Sequence, residues 1–335
     1  MQHLIALLAP WMPAQRWFAG KLREPELEII GGYALDTGAP DVGCRVVLVL
    51  DRAIPPALYQ VPVTERVGPL DDAGSALIGR AGDRWIYDGA HDPAFAAALL
   101  RLMLDEGAAH SDDGTARIAA FGHSDTTEDL KVATSRVLGG EQSNTSIIID
   151  TTDAHGRHAT PVICKIFRTI HHGENPDVVL TGALGAAGSR VVPRSIGHVT
   201  GRWPDSAEPD GLASGHLAFA QEFLPGVEDA WRVALAAADA GEDFGERARQ
   251  LGEATAQMHL ALASVLPSRV TTADDVAAII AGMRSRLELA MSELPQLERH
   301  RNELDAVYAI AATVAWPPLQ RVHGDFHLGQ VLSVR

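Results

Sequence analysis

Cysteine is scarce in this chain of 335 residues, which contains only Cys44 and Cys164. The two lie far apart and match no metal-ligand or redox spacing, which argues against a cysteine-based metal or redox site. Buried free thiols are common in the reducing cytosol. We therefore predict that both are core residues.

Positive charge is also in short supply, with 28 Lys and Arg against 43 Asp and Glu and a formal net charge of −15. Such a surface repels phosphate backbones, which argues against nucleic acid as a partner. A small anionic ligand is not excluded, because a single pocket can be locally basic or can carry a metal ion. Four histidines, His110, His123, His171 and His172, form no metal-ligand pattern and are interpreted as surface or capping residues.

Long apolar runs are missing as well. No segment approaches membrane-spanning length, and the first residues lack the basic region and cleavage site of a secretory signal. The sequence therefore predicts a cytoplasmic protein with no membrane partner, either a monomer or a weak dimer. The hydrophobic content of 46% and charged content of 21% are typical of a globular protein with two or three structural units.

Three blocks of different pattern follow one another along the chain. Residues 1–122 combine strand-like runs, turn residues and an amphipathic helix, which predicts a small α+β domain. Its predicted elements are a helix, three strands and a second helix: Leu4–Leu8, Glu26–Leu35, Cys44–Leu50, Leu58–Val63 and Ala94–Leu104.

The second block, residues 123–225, predicts an antiparallel sheet with one helix, and the third, residues 226–335, predicts long Ala- and Leu-rich helices. The elements of the second block are Val132–Leu138, Ser146–Asp150, Thr160–Phe167, helix Pro176–Ala187 and Leu217–Phe223. Those of the third are Trp231–Ala240, Phe244–Val265, Thr272–Leu289 and Leu297–Trp316. A sheet followed by helices predicts an α+β fold of two lobes with a cleft between them.

The strongest chemical signal is at the end of the third block. His323-Gly-Asp325 is followed by Gln330, which is the pattern of a phosphotransferase catalytic loop. Asp325 can orient a hydroxyl and accept its proton, and the amide oxygen of Gln330 suits a hard cation such as Mg²⁺. His323 is interpreted as a brace for the loop backbone, and His327 as a structural histidine or a site residue.

A single lysine, Lys165, lies inside the apolar run Val162–Arg168. A lysine in such a strand must reach solvent or a negative partner. On a sheet that covers a nucleotide it would neutralise phosphate oxygens. The alternative is that Lys165 occupies the solvated face of a half-buried strand.

The segment Gly139–Thr145 lies between two predicted strands and is rich in small polar residues. Its two glycines permit a tight turn, and Ser143, Asn144 and Thr145 offer donors to phosphate oxygens. It lacks the P-loop lysine and the Gly-x-Gly-x-x-Gly pattern, so an ordinary hairpin turn is the alternative.

At these motifs the chain resembles the actinobacterial maltokinase family and the closely related glucosamine kinases. Both belong to the aminoglycoside-phosphotransferase-like branch of the protein-kinase-like fold. The resemblance covers nearly the whole chain. Besides the catalytic loop, the lysine strand and the small polar loop, it is carried by Gln15–Lys21, Asn175–Val178, Gln221–Pro225 and Leu251–Leu262.

The resemblance implies a bilobal kinase-like fold in which residues 1–122 are an N-terminal cap domain, 123–225 the ATP-binding N-lobe and 226–335 a helical C-lobe. It implies ATP and Mg²⁺ as cofactors and a sugar as the substrate. The first expectation is phosphorylation of maltose to maltose 1-phosphate, in α-glucan and glycogen synthesis. By resemblance, Asp325 is the catalytic base, Gln330 a magnesium ligand and Lys165 the phosphate-binding lysine, and the remaining nucleotide contacts are Ser143, Asn144, Thr145 and the adenine hinge Gln221, Glu222, Phe223 and Leu224.

Two departures from the family pattern accompany the resemblance. Val179 stands where family members carry a glutamate that pairs with the strand lysine, so Asp177 or Glu174 is expected to take over, or the lysine is held without such a pair. In family members, the second magnesium carboxylate and the sugar-pocket helices lie beyond the position that corresponds to Arg335, and those segments are absent here. We therefore expect an incomplete helical lobe that exposes an apolar face, and weak or absent turnover by the chain as given.

Two alternatives to maltokinase remain open. A glucosamine kinase would share every motif described above. An inactive, nucleotide-binding remnant is favoured by Val179 and by the missing carboxylate, whereas the presence of Asp325, Gln330 and Lys165 together argues against it.

Overall fold

Two antiparallel sheets, one after the other in sequence, precede a helical region. The computed structural model describes residues 2–21, 23–71, 73–111, 117–139 and 143–334. The first sheet, called the cap sheet below, has five strands in the order β1-β2-β3-β5-β4. Its strands are β1 Leu27–Ala34, β2 Val42–Asp51, β3 Ala57–Arg66, β4 Leu77–Ala81 and β5 Arg84–Asp88, and helices α1 Gln2–Trp11 and α2 Pro93–Leu104 flank it.

The second sheet, called the lobe sheet, has seven strands in the order β6-β7-β11-β12-β10-β9-β8. Helix α3 (Pro176–Ala186) follows β10 and packs near β11. The strands are β6 Ala108–His110, β7 Ala119–Ser124, β8 Lys131–Val137, β9 Asn144–Thr152, β10 Val162–Phe167, β11 Ser195–Pro204 and β12 Leu212–Glu222.

The helical region begins directly after the lobe sheet. A two-residue strand, β13 (Glu228–Asp229), leads into α4 Ala230–Ala240, α5 Gly245–Val265, α6 Ala273–Glu293 and α7 Arg301–Ala311. A 3₁₀ turn at Leu328–Gln330 and strand β14 (Leu332–Ser333) close it, and β14 pairs antiparallel with β13. No helix among the described residues combines the length and the apolar character that a membrane span requires.

Helix α2 lies between the two sheets and joins their cores. Its residues Phe95, Leu99 and Met103 belong to one buried cluster with side chains of both sheets, which also contains Leu48 of β2. The neighbouring residue Val49 packs on the opposite face of β2, in the cluster that α1 covers. Both faces of β2 are therefore buried, which explains why its sequence is a continuous apolar run instead of an alternating one.

Most predicted elements are present, and both cysteines are buried free thiols, as predicted. Strand β11 was missed, because Gly197, Gly201 and a terminal proline weaken its strand signal. The two short strands β4 and β5 were also missed. The single helix predicted at Leu297–Trp316 is wrong: Pro295–His300 forms a 3₁₀ turn, and α7 ends at Ala311, ahead of Pro317.

The predicted division at residue 122 falls inside β7, which pairs with β11 of the lobe sheet. By sheet membership the lobe therefore begins at Ala108, within the block expected to be the cap. Helix α2 crosses β7 very closely at this point. A Cβ atom on Gly122 would lie 1.8 Å from the carbonyl oxygen of Leu102, so only glycine fits there.

The helical region buries few side chains. Helix α6 buries Ile280, Leu287 and Met291, and no residue of α7 is buried. Large apolar side chains are exposed along this region, among them Trp231, Leu260, Leu289, Ile310 and Val334.

Candidate active site

Lys165 lies in the middle of β10, and its ammonium group reaches the first turn of α3. The Nζ atom is 2.7 Å from Oδ2 of Asp177. Cys164 and Ile166 on either side are buried in the core, so Lys165 projects from the opposite face of the strand. Of the expected replacements for the missing glutamate, Asp177 is the one that pairs with the lysine. Both side chains are partly exposed, so the pair adds little to stability and chiefly fixes the position of the ammonium group.

The start of α3 is held in place by the lobe sheet. Asn175 is the N-cap, and its Oδ1 accepts a hydrogen bond from the backbone N–H of Asp177 at 2.9 Å. The backbone N–H of Asn175 in turn donates to Nδ1 of His216, on β12, at 2.9 Å. Because these contacts fix the helix start, they also fix the carboxylate that faces Lys165.

The small polar loop is only partly described, because Gly140, Glu141 and Gln142 lie outside the described residues. It connects β8 and β9, which pair antiparallel. Ser143 is exposed and Asn144 half-buried. Thr145 is buried, and its hydroxyl accepts a hydrogen bond from Nε of Arg168 at 2.8 Å. The phosphate contact expected of the Thr145 side chain stays a prediction, since the hydroxyl that accepts this bond can still donate its own proton.

The predicted hinge, Gln221–Leu224, is the end of β12 and the segment that follows it. The backbone N–H of Glu222 donates to the carbonyl oxygen of Arg194, and that of Phe223 donates to the carbonyl oxygen of Pro161, each at 2.8 Å. Among the described residues, nothing accepts a hydrogen bond from the N–H of Leu224. If this segment meets an adenine ring, Leu224 is therefore the residue whose N–H can donate to it.

The predicted catalytic loop, residues 322–332, is largely exposed, and the side-chain hydrogen bonds of its two histidines are made within it. Nδ1 of His323 accepts a hydrogen bond from the backbone N–H of Asp325 at 3.3 Å, which is the kind of contact that the brace interpretation requires. His327 makes the equivalent bond to Gly329 at 3.1 Å and thereby caps the 3₁₀ turn that carries Gln330. Gly324 has a φ of 85°, a conformation that favours glycine, and it turns the chain between His323 and Asp325.

The hinge and the catalytic loop are joined by the smallest sheet of the fold. Strand β13 begins shortly after Leu224, and β14 begins shortly after Gln330, so their pairing holds the ends of both segments together. The backbone N–H of Ala230 donates to the carbonyl oxygen of Val331 at 2.8 Å and extends this connection. Helix α3 packs against α5 through Leu184 and Leu262, which links the lysine side of the site to the helical region.

A row of histidines that the sequence did not reveal lies beside Lys165. Cross-strand pairing places Lys165, Phe219, His198 and His123 in one line on one face of the lobe sheet. The rings of His123 and His198 are stacked with centroids 4.6 Å apart, and the His198 and His216 rings are 5.3 Å apart. His123 is half-buried and shares this face of the sheet with His198. Sequence alone could not find this row, because it depends on which strands are neighbours.

Burial and the nearby His198 lower the pKa of His216, and His123 adds to this effect, while Glu174 opposes it. Burial and His198 also lower the pKa of His123, against the opposing charges of Glu106 and Asp125. In the folded state Nδ1 of His216 accepts a hydrogen bond, so its protonation would break the bond to Asn175. The unfolded chain therefore binds more protons than the folded chain as the pH falls below the ordinary histidine range.

We expect the free energy of unfolding to fall as the pH is lowered from about 7 to about 5, because protons then favour the unfolded chain. His216→Asn keeps an acceptor near the position of Nδ1 but does not titrate, and it should show a weaker pH dependence in urea unfolding. His155→Asn, at an exposed turn, is the control and should match the original protein. Identical pH profiles for all three proteins would contradict this assignment.

The residues present fit magnesium in part. Gln330 offers an amide oxygen and Asp325 a carboxylate, both exposed, and Mg²⁺ prefers such oxygen ligands. In the described part of the chain, no group of three or more His, Cys, Asp and Glu side chains is arranged to hold a metal ion. The donor set therefore suits an ion that takes its other ligands from water and from substrate phosphates.

Two family models match this chain. Residues 137–333 match the phosphotransferase enzyme family, and residues 11–92 match the maltokinase N-terminal cap domain. The first match spans more than half of the chain, so the chain belongs to the phosphotransferase enzyme family. Within it, the chain is a member of the type related to maltokinases and glucosamine kinases, with their N-terminal cap domain.

Two curated relatives are glucosamine kinases. That of Streptacidiphilus jiangxiensis is 31% identical over 330 residues, which covers 92% of this chain and 65% of the relative. That of Mycolicibacterium smegmatis (strain ATCC 700084 / mc(2)155) is 28% identical over 209 residues, which covers 59% of this chain and 48% of the relative. The chain thus spans less than two thirds of the length of either relative.

Solved structures with the same fold are also glucosamine kinases. Crystal form A has a TM-score of 0.63 at 23% identity and covers 99% of this chain and 69% of that one. A complex with glucosamine, ADP and inorganic phosphate has a TM-score of 0.56 at 24% identity and covers 94% and 65%. These likenesses confirm the predicted kinase-like α+β fold with an N-terminal cap domain.

Proposed function

We propose that the protein is an ATP-dependent sugar kinase that phosphorylates glucosamine. The observation that carries the proposal is the match to a glucosamine kinase, at 31% identity, along 92% of this chain. Both curated relatives reported above are glucosamine kinases, and this favours glucosamine over maltose, the sugar first expected from the sequence. The maltokinase cap-domain match is compatible with either sugar, because the resemblance to both kinds of kinase includes that domain.

In the proposed reaction, Asp325 accepts the proton of a sugar hydroxyl. The hydroxyl oxygen forms a bond to the γ-phosphorus of ATP, and the bond from that phosphorus to the bridging oxygen of ADP breaks. Lys165, whose position Asp177 fixes, neutralises phosphate oxygens of the nucleotide. The adenine ring would meet the hinge, with Leu224 as the N–H donor.

Magnesium would be held by Gln330 and would supply positive charge beside the phosphates when bound. His323 would keep the backbone of the catalytic loop in place through its bond to the Asp325 N–H. Ser143 and Asn144 are the loop residues that we expect to contact phosphate first, because they are more exposed than Thr145, which is buried beside Arg168.

The inactive-remnant alternative loses one of its two supports. Val179 suggested that the lysine had lost its partner, but Asp177 lies 2.7 Å from Lys165 and can serve in that position. The chain also retains Asp325 and Gln330. These observations favour a catalytic protein over a remnant.

A direct comparison of the two sugars tests the proposal. With the protein expressed at the full length that its gene encodes, ADP release is measured with ATP and Mg²⁺ in the presence of glucosamine, maltose or no sugar. We expect kcat/KM to be at least about tenfold higher for glucosamine, since a site built for one sugar leaves its polar groups unpaired with another. A higher value for maltose would overturn the choice of sugar, and bound ATP without ADP release would favour the remnant.

A further inference from the structure

Arg168 is the largest fully buried side chain in the part of the chain that the structure describes, and it lies three residues after Lys165. A guanidinium group removed from water is costly unless other groups compensate its charge and its hydrogen-bond donors. Nothing in the proposed reaction uses Arg168 directly. Its burial so close to the phosphate-binding lysine therefore calls for a separate explanation.

The partners of Arg168 come from three separate segments. Nη2 lies 2.6 Å from Oδ2 of Asp88, at the end of cap strand β5. Nε donates to Oγ1 of Thr145, at the start of β9, at 2.8 Å. The ring of Trp17 lies 4.8 Å from the guanidinium carbon, within the range of a cation–π contact. Arg168 thus connects two cap segments to the end of the small polar loop.

The segment Gln15–Lys21 gains a physical role from this arrangement. Trp17 is 6% exposed and covers the guanidinium, and Phe18 packs against the ring of Tyr59 at 5.2 Å. The hydroxyl of Tyr59 accepts a hydrogen bond from the N–H of Ala19 at 3.3 Å, which fixes this segment on the cap sheet. The cap therefore presents an anion and an aromatic face at one point, and Arg168 occupies that point.

The backbone reinforces the same junction. The N–H of Gln60, on β3, donates to the carbonyl oxygen of Arg168 at 2.9 Å. The side-chain amide of Gln60 donates to the carbonyl oxygens of Phe167, at 2.7 Å, and Leu217, at 2.5 Å. Two strands of the lobe sheet are thus attached to one buried cap residue. These bonds hold the main chain at Arg168 and the residue before it, and they do not involve the Arg168 side chain.

We propose that Arg168 is a positioning residue: it holds the Thr145 end of the small polar loop against the cap and thereby places Ser143 and Asn144 for contact with the nucleotide phosphates. In this arrangement the cap helps to position the residues that contact the nucleotide. The inference deepens the proposed function and depends on it for the identity of the phosphate. The connection between the cap and the loop does not depend on the proposed function, because it is argued from the contacts of Arg168.

Thr145→Val tests the proposal because it removes the hydroxyl while keeping the size of the side chain and the Arg168–Asp88 pair. We expect the Kd for ATP, measured by titration calorimetry, to rise about tenfold, in line with the effect of small displacements at a binding site. Hydrogen exchange measured without nucleotide should be faster in peptides that cover Ser143 to Ile147. Thr145→Ser, which keeps the hydroxyl, should restore both values.

The matched control is Thr151→Val on the same strand. Thr151 is also buried and its hydroxyl donates to the carbonyl oxygen of Thr160 at 2.6 Å, but it lies at the other end of β9. This variant should lose stability as Thr145→Val does and keep the original Kd and exchange at the loop. If the two valine variants behave alike in both measurements, the positioning role is refuted. If the original protein binds no ATP, the proposed function fails, and the exchange comparison still decides whether Arg168 holds the loop.

Discussion

Replacement of Asp325 by asparagine is expected to lower kcat for sugar phosphorylation by about 10²–10⁴-fold, the usual contribution of a positioned general base. The amide keeps the shape of the side chain and its place in the loop, but it cannot accept the proton of the sugar hydroxyl. Nucleotide affinity should stay within about twofold of the original value, because the proposed adenine and phosphate contacts are made by other residues, namely Leu224, Lys165, Ser143 and Asn144.

The control for this experiment is Asp305→Asn, which changes the net charge by the same amount on the exposed surface of α7. It should leave kcat unchanged. Turnover is followed by ADP release and ATP binding by calorimetry, on the same preparations. Full activity in the Asp325→Asn protein would exclude Asp325 as the base. Loss of ATP binding along with activity would point to a collapsed loop instead.

Asp88→Ala is expected to lower the free energy of unfolding by about 3–5 kcal/mol, because it leaves the guanidinium of Arg168 buried without its carboxylate. The side chains of the pair are 0% and 3% exposed, so water cannot replace the lost partner without local opening. Urea unfolding followed by tryptophan fluorescence measures this effect, and Trp17 lies against the same guanidinium.

An exposed ion pair in the same sheet provides the control for Asp88. Arg52 and Glu28 pair on the surface, with side chains 59% and 48% exposed, so Glu28→Gln should cost less than about 1 kcal/mol. The double change of Asp88→Ala and Arg168→Met should recover part of the loss, since it removes the unpaired charge. Equal costs for the buried and exposed changes would show that Arg168 finds another partner.

The residues of the candidate site that lie close together in the chain can be picked out from the sequence. Asp325, His323 and Gln330 lie within one short segment, and their contacts in the structure are made inside that segment. Lys165 could be singled out because a cation interrupts an apolar strand. The family resemblance left three possibilities for its partner: Asp177, Glu174 or none. The fold decided in favour of Asp177.

The features of the fold and site that could not be predicted from the sequence depend on contacts between distant segments. Arg168 and Asp88 are 80 positions apart, and each looks ordinary within its own segment. The histidine row requires β7, β11 and β12 to be neighbours, although other strands and a helix separate β7 from β11 in the chain. The sheet membership of β6 and β7 has the same origin, since both belong to the lobe sheet only through their pairing with β11 and with each other.

The most direct test of a glucosamine kinase is identification of its product. The protein, at the full length that its gene encodes, is incubated with ATP, Mg²⁺ and glucosamine and followed by ³¹P NMR. The account predicts that the γ-phosphate signal of ATP is replaced by that of a sugar phosphomonoester, in an amount equal to the ADP formed, and that the Asp325→Asn protein forms both at least about a hundredfold more slowly. Release of inorganic phosphate alone, or no change in the ATP signals, would contradict it.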